Sequence, residues 1–207
     1  MDPGPINSEY NNNQFTFPNG SGQTRRTFHL AGTITIPAGQ MAGDYTGVLP
    51  IFISVSGTGA GTGNSNTVNV PIHIRVIAPI ALSKTQDLDI GTVIPGATAG
   101  TVTLNPATGA QGLTGGVLYA ASTGQPAQFV ITGDSSHNFF ITLGASTISL
   151  TGPGGSMNLS LTSSLGALSA FSGTGTATLN LGGTLSVAAN QAEGDYSGTL
   201  TVTVAYP

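Results

Sequence analysis

Three histidines, His29, His73 and His137, and the run Asp134-Ser135-Ser136-His137 are the residues of this 207-residue chain whose types could do chemistry. Nucleophilic catalysis needs a hydroxyl, a base and an orienting acid that approach one another from different directions. Contiguous residues of one turn cannot readily supply three separate positions, so the run reads as a loop. The histidines lie in separate strand or turn contexts, and none stands at a metal-type i, i+2 or i, i+4 spacing from a second ligand. No Gly-x-Ser-x-Gly elbow occurs, and Gly57–Gly63 lacks the lysine and following helix of a phosphate loop. The expectation is a chain that is not an enzyme and carries no cofactor and no metal.

Two acidic residues pose a sharper question. Asp44 and Asp195 each sit in Gly-Asp-Tyr, at Gly43-Asp44-Tyr45 and Gly194-Asp195-Tyr196. One reading is turn geometry, in which Gly takes a positive φ, Asp caps the turn and Tyr starts a strand. The other is calcium, which needs about six to eight oxygens and so a contribution from Glu193 or another loop. Asp87 and Asp89, flanking Leu88, read as solvated residues alternating outward on a strand.

The elements that carry these residues are β-strands. The 25 residues Ala31–Val55 recur without a gap as Gly182–Tyr206, nine of them identical. Both copies read strand, turn, strand: a β-branched run (Thr33–Ile36, Thr184–Val187), a shared turn, then an alternating apolar run (Val48–Val55, Thr199–Tyr206). The second copy closes the chain while the first starts about 30 residues in. The first unit therefore has the form of the tail of a domain whose head is missing.

Composition agrees. Charged residues make up 6 % of the chain, Gly supplies 31 residues, and mean hydropathy is positive, as in a β-rich surface or extracellular protein with enough apolar surface to fold. A net charge of −4, with four cationic side chains in all, cannot neutralise a phosphate backbone, which excludes nucleic acid as partner. There is no cysteine, so neither a disulfide framework nor a thiolate site is available. No apolar run is long enough for a transmembrane segment, and the start lacks the layout of a signal peptide.

Along the chain, residues 1–13 read as a flexible end, and Gln14–Ala78 as a partial sandwich unit with strands at Gln14–Phe17, Thr27–Ile36, Gly47–Ser56 and Thr67–Ala78. Gly57–Asn66 reads as a flexible connection. In the last strand Val68, Val70, Ile72, Ile74 and Val76 share one face, opposite Asn69, His73 and Arg75, and Pro71 points to an edge or a bulge. Tethered by glycines ahead of a full domain, this strand has the form of a donated strand or of the unit's own last strand. Pro79–Pro207 has the length of a complete sandwich, with strands at Ile80–Ser83, Leu88–Val93, Thr101–Leu104, Val117–Ala121, Ala127–Thr132, Phe139–Leu143, Thr147–Leu150, Ser156–Thr162, Thr176–Val187 and Tyr196–Tyr206. At least one ring of Phe139-Phe140 must enter the core.

The final segment, GGTLSVAANQAEGDYSGTLTVTVAY, resembles the C-terminal signature of spore-coat-protein-U-type and archaic chaperone–usher pilin domains, and of a related bacterial surface family known only as a domain of unknown function. ALSKTQDLDIGTVIPGATAG (Ala81–Gly100), with Leu88-Asp89-Ile90-Gly91, is similar to that family's opening strand and Pro-Gly turn. Thr101–Gly116 and Ala127–Gly133 continue the pattern. The resemblance covers about Ile80–Tyr206 and implies an all-β, immunoglobulin-like Greek-key β-sandwich there; the repeat at Ala31–Val55 adds the expectation of a second partial sandwich unit at the N-terminus. It implies export through the periplasm of a Gram-negative bacterium to the cell surface, with a periplasmic chaperone and an outer-membrane usher as partners during export.

The function expected is a structural subunit of an extracellular filament, a homopolymer of copies joined by β-strand complementation through Val68, Val70, Ile72, Ile74 and Val76. A two-domain fibre-tip adhesin and a monomeric surface-binding β-sandwich are the alternatives.

Overall fold

The computed structural model describes residues 29–54, 65–119 and 124–207. The chain divides into two compact units, Met1–Met41 and Ala42–Pro207. In the first, the described residues 29–41 contain no strand, so the expected strand at Thr33–Ile36 is absent. They do contain a turn closed by Gln40 N donating to the Pro37 carbonyl (3.3 Å), with Gly39 at φ +78°. The expected strand Gln14–Phe17, the end at 1–13 and most of the Gly57–Asn66 connection lie outside the described residues.

Ala42–Pro207 is all-β. β1 (Gly43–Ser54) and β2 (Ser65–Val76) pair antiparallel over their full lengths, Gly43 opposite Val76 through Ser54 opposite Ser65. Among the described residues they form a two-stranded ribbon with no third strand, so each has an edge unpaired there, and Pro71, which cannot donate to a ladder, lies in such an edge strand. The remaining strands are β3 (Ala81–Gln86), β4 (Val93–Ile94), β5 (Gly100–Leu104), β6 (Gln111–Gly115), β7 (Leu118–Tyr119), β8 (Ala127–Thr132), β9 (Asn138–Leu143), β10 (Thr147–Gly152), β11 (Gly155–Ser163), β12 (Leu168–Ala170), β13 (Thr176–Val187) and β14 (Val202–Ala205).

β13 organises the main sheet. One edge pairs with β11. The other pairs with β8 over Thr176–Leu181 and then with β5 over Gly183–Val187. The change of partner falls at Gly182, where a Cβ would lie 2.2 Å from the Leu104 carbonyl oxygen, so only glycine lets the backbones meet. β10 and β6 extend the path on either side and β3 pairs with β8, giving seven strands. A three-stranded sheet, β12-β9-β14, faces it, and β4 with β7 forms a small pair.

Alternation along each strand builds the sandwich-like core. Ile131, Leu179 and Leu181 of the large sheet meet Phe139 and Ile141 of β9, with Leu200, Val202, Val204 and Tyr206 packed on them. Phe139 and Phe171 stack with ring centroids 4.4 Å apart, while Phe140 points outward. A second cluster gathers Val102, Met157, Leu159, Leu185 and Val187 under Tyr196.

Two expected strands are corrected. Leu88–Val93 is irregular apart from the Asp89–Gln125 bridge and the start of β4, so Asp87 and Asp89 do not alternate on a strand; Asp89 Oδ1 instead accepts from Gly91 N at 2.7 Å. Tyr196–Tyr206 is strand only over Val202–Ala205, because Ser197 bridges to Thr151 on the large sheet while Val202–Ala205 pairs with β9 on the other. The chain switches sheets between them and cannot stay in one ladder.

Candidate functional site

The β1–β2 ribbon is where the sequence leaves apolar side chains without cover. In an antiparallel pair, directly opposed residues share a face. Leu49 opposes Val70, Ile51 opposes Val68, Gly47 opposes Ile72 and Tyr45 opposes Ile74, so Val68, Val70, Ile72, Ile74 and Val76 form one apolar face together with Tyr45, Leu49, Ile51 and Ile53. Ile51, Ile74 and Val76 are half-buried and the others exposed. The opposite face carries Asp44, Thr46, His73 and Arg75, with His73 Nε2 3.3 Å from the Asp44 carboxylate, and further along it the exposed Val48 and Phe52. An exposed apolar patch of this extent marks a surface built to be covered.

The repeat is preserved in its turn and lost in its packing. Gln191 N donates to the Ala188 carbonyl (3.4 Å) as Gln40 N does to Pro37, and Asn190, at φ +50°, takes the place of Gly39. Gly43 and Gly194 both have positive φ, +156° and +135°. The tyrosines diverge. Tyr196 covers the second core cluster, and its hydroxyl donates to the Ala192 carbonyl (2.9 Å) and accepts from Gln191 Nε2 (2.7 Å). Tyr45 lies on the ribbon's apolar face, opposite Ile74, and is 37 % exposed. Upstream of the turn, Ile34 and Ile36 are 57 % and 55 % exposed, whereas their counterparts Leu185 and Val187 in β13 are 3 % and 2 % exposed.

The sandwich carries a cleft of its own. It measures about 880 Å³ and runs along the inner face of the large sheet to the core side chains Leu159, Leu181 and Leu185, bordered by the irregular segments that carry Leu88, Ile90 and Tyr196. Lys84 and Asp87, paired with each other, stand at its rim. β14 is an edge strand of the smaller sheet.

The Asp134–His137 run is a structural node. Asp134 Oδ1 accepts from Ser136 Oγ (2.5 Å) and Ser136 N (2.9 Å), contacts His137 Nδ1 (3.2 Å) and lies 3.5 Å from the Arg75 guanidinium of β2. Ser136 Oγ also accepts from Arg75 Nη2 at 2.8 Å. The hydrogen bonds from Ser136, followed by that from His137 and the charge of Arg75, hold the Asp134 carboxyl well below the usual carboxylate range. Ser136 therefore gives its proton to a very weak base, too weak to draw that proton off and activate the hydroxyl. Tyr206 completes the node: its hydroxyl accepts from Asp134 N and donates to the Ala78 carbonyl, both at 2.7 Å, fastening the chain between β2 and β3 to the sandwich. Composition of the turn gave no sign that Arg75 and Tyr206 would converge on it.

At the Gly-Asp-Tyr turns, Asp44 faces His73. Among the described residues no group of three or more His, Asp or Glu side chains comes together as a metal site, and no helix is long and apolar enough to cross a membrane.

Compared with known proteins, residues 80–206 match the model of one family, described as Domain of unknown function (DUF4402). No curated protein and no solved structure matches. The matched span is the sandwich from β3 to β14, more than half of the chain, and the chain belongs to the DUF4402 family.

Proposed function

We propose that this DUF4402 protein is a structural subunit of an extracellular bacterial filament whose copies join by β-strand complementation. The observation that carries the proposal is the ribbon's exposed apolar face, flanked by two strand edges unpaired among the described residues, in a chain whose sandwich holds a cleft reaching core leucines. Open edges and an uncovered face are what β-augmentation consumes: main-chain bonds supply affinity, and alternate side chains entering pockets supply register. A two-stranded ribbon is at best marginal by itself in water, so a neighbour's surface completes it.

In this reading Gln14–Ala78 is a partial sandwich unit completed from outside, with Thr67–Val76 in or beside the joint, and Pro79–Pro207 is an immunoglobulin-like Greek-key domain. The resemblance of Ile80–Tyr206 to spore-coat-protein-U-type and chaperone–usher pilin domains supports export through a periplasm, with chaperone and usher as transit partners, to the cell surface. The role is mechanical and not enzymatic.

Negative-stain microscopy and sedimentation of the purified chain test the proposal. Filaments whose repeat accommodates one copy each are expected. A species that stays monodisperse and monomeric at every concentration would replace the filament with a monomeric surface sandwich.

A further inference from the structure

The outer face of the large sheet has a chemistry that the filament joint does not use. Across the path β10-β11-β13-β5-β6 the register aligns Thr147, Ser160, Thr184, Thr103 and Gly112 in one row perpendicular to the strands. Two residues along, Ser149 opposes Asn158, Asn158 and Ser186 flank the Leu159–Leu185 pair, Ser186 opposes Thr101, and Thr101 opposes Thr114. The alternating partners of these residues, Met157, Leu159, Leu185 and Val102, are buried, so both rows belong to the opposite, outward face. Every side chain in the two rows is a hydroxyl, an amide or hydrogen. There is no charge and no ring.

An ordinary solvated sheet face carries lysine and glutamate, which keep sheets apart through hydration and like-charge repulsion. Here nothing opposes close approach, although the chain has a net charge of −4. A hydroxyl both donates and accepts, so a hydroxyl array is complementary to a second copy of itself, which an array of ammonium or carboxylate groups is not. A neutral glycan shares the hydroxyl chemistry, but such ligands are gripped by aromatic platforms, and this face has none.

We infer that this face packs against the same face of a second copy and joins filaments side by side. The inference rests on the filament reading, because the face is small. Five strands at about 4.8 Å spacing and about five residues at 3.3 Å rise give about 400 Å² per partner. That is about 800 Å² in total, under the roughly 1,000 Å² that a lasting pair of soluble proteins needs. Single copies therefore do not pair through it, whereas a filament that repeats the face along its length does.

The test compares wild type with Ser160→Lys/Ser186→Lys, which sets two cations on each partner's face, and with Thr142→Lys, an exposed position on the other sheet, as control. Microscopy and low-speed sedimentation are the readouts. Wild type and the control should form bundles that pellet at low speed. The double variant should form single filaments of normal length, with loss of the low-speed pellet and regain of bundling above about 0.5 M salt as screening shortens the range of repulsion. Bundles in the double variant at low salt would overturn the inference, as would single filaments from wild type, while leaving the filament reading intact. Dispersal of wild-type bundles by a neutral polysaccharide that also binds the soluble chain would make a glycan the occupant and overturn it too. Absence of filaments from every variant would remove the filament reading, and this inference with it.

Discussion

Substituting Ile72 and Ile74 by Asp separates folding from assembly, because both side chains lie on the ribbon face that the sandwich does not cover. On that face Leu49, Ile53, Val68, Val70 and Ile72 are 40 %, 41 %, 50 %, 36 % and 42 % exposed. Covering a fully exposed aliphatic side chain yields about 1.5–3 kcal/mol, so these, already half shielded, each gain about 1 kcal/mol in a joint. Each substitution forgoes about 1 kcal/mol and adds about 1–3 kcal/mol for desolvating a polar group without a partner. The pair costs about 6 kcal/mol, roughly four powers of ten in joint affinity. In the isolated subunit Ile72 is exposed and Ile74 half-buried, so the fold loses little. The assay is filament yield by microscopy, with the circular dichroism spectrum and thermal midpoint of the soluble subunit recorded alongside. Loss of filaments with an unchanged β spectrum is expected. Wild-type filament yield from the double variant would refute the reasoning and take β2 out of the joint.

Three further outcomes follow from the geometry. Gly194→Ala should lower the thermal midpoint clearly, since a Cβ there would sit 2.6 Å from Pro153 Cγ at a φ of +135°, whereas at Gly43 the nearest atom is 4.0 Å away; equal shifts from Gly194→Ala and Gly43→Ala would show that the two turns are packed alike. Tyr206→Phe removes the hydroxyl that serves Asp134 N and the Ala78 carbonyl, and should cost about 1–3 kcal/mol in a urea titration, with no change expected if those groups are served by water. The Asp134 carboxyl is depressed below its ordinary value of 3.8, so its stabilisation is complete above that pH and is lost as pH falls through the lower folded-state value; the stability difference between wild type and Asp134→Asn should be constant from neutrality to about pH 5 and shrink below pH 3.8.

Strands whose two faces differ were legible from sequence. Thr67–Val76 alternates aliphatic with polar residues and lies within β2, and Thr176–Val187 is β13 as read. Tyr196, Leu200, Val202, Val204 and Tyr206 all pack on core, as their alternation required, although the segment is strand only at its end. That failure has a cause that local pattern does not carry: the segment touches both sheets, and a sheet switch is a tertiary event. Thr33–Ile36 has β-branched residues in the right period but no partner strand among the described residues. β6 was missed for the converse reason. Gln-Gly-Leu-Thr-Gly has the composition of a turn, and becomes strand because its glycines admit close approach to β5: a Cβ on Gly112 would lie 2.6 Å from Thr103 Oγ1, and one on Gly115 2.2 Å from the Ala99 carbonyl oxygen. For the candidate site, the five aliphatics of β2 were readable, whereas their alignment with Leu49, Ile51 and Ile53 needed the β1–β2 register.

Hydrogen exchange on Ser65–Val76 in filaments, compared with the dissociated subunit, tests the central claim most directly. Among the described residues β2 pairs on one side only, so amides that point to its other edge exchange freely in the subunit. If copies join by strand complementation there, those amides become protected on assembly while peptides from Val102 and Leu179, already at the sandwich core, stay unchanged. Filaments in which Ser65–Val76 exchanges as fast as in the free subunit would contradict the account.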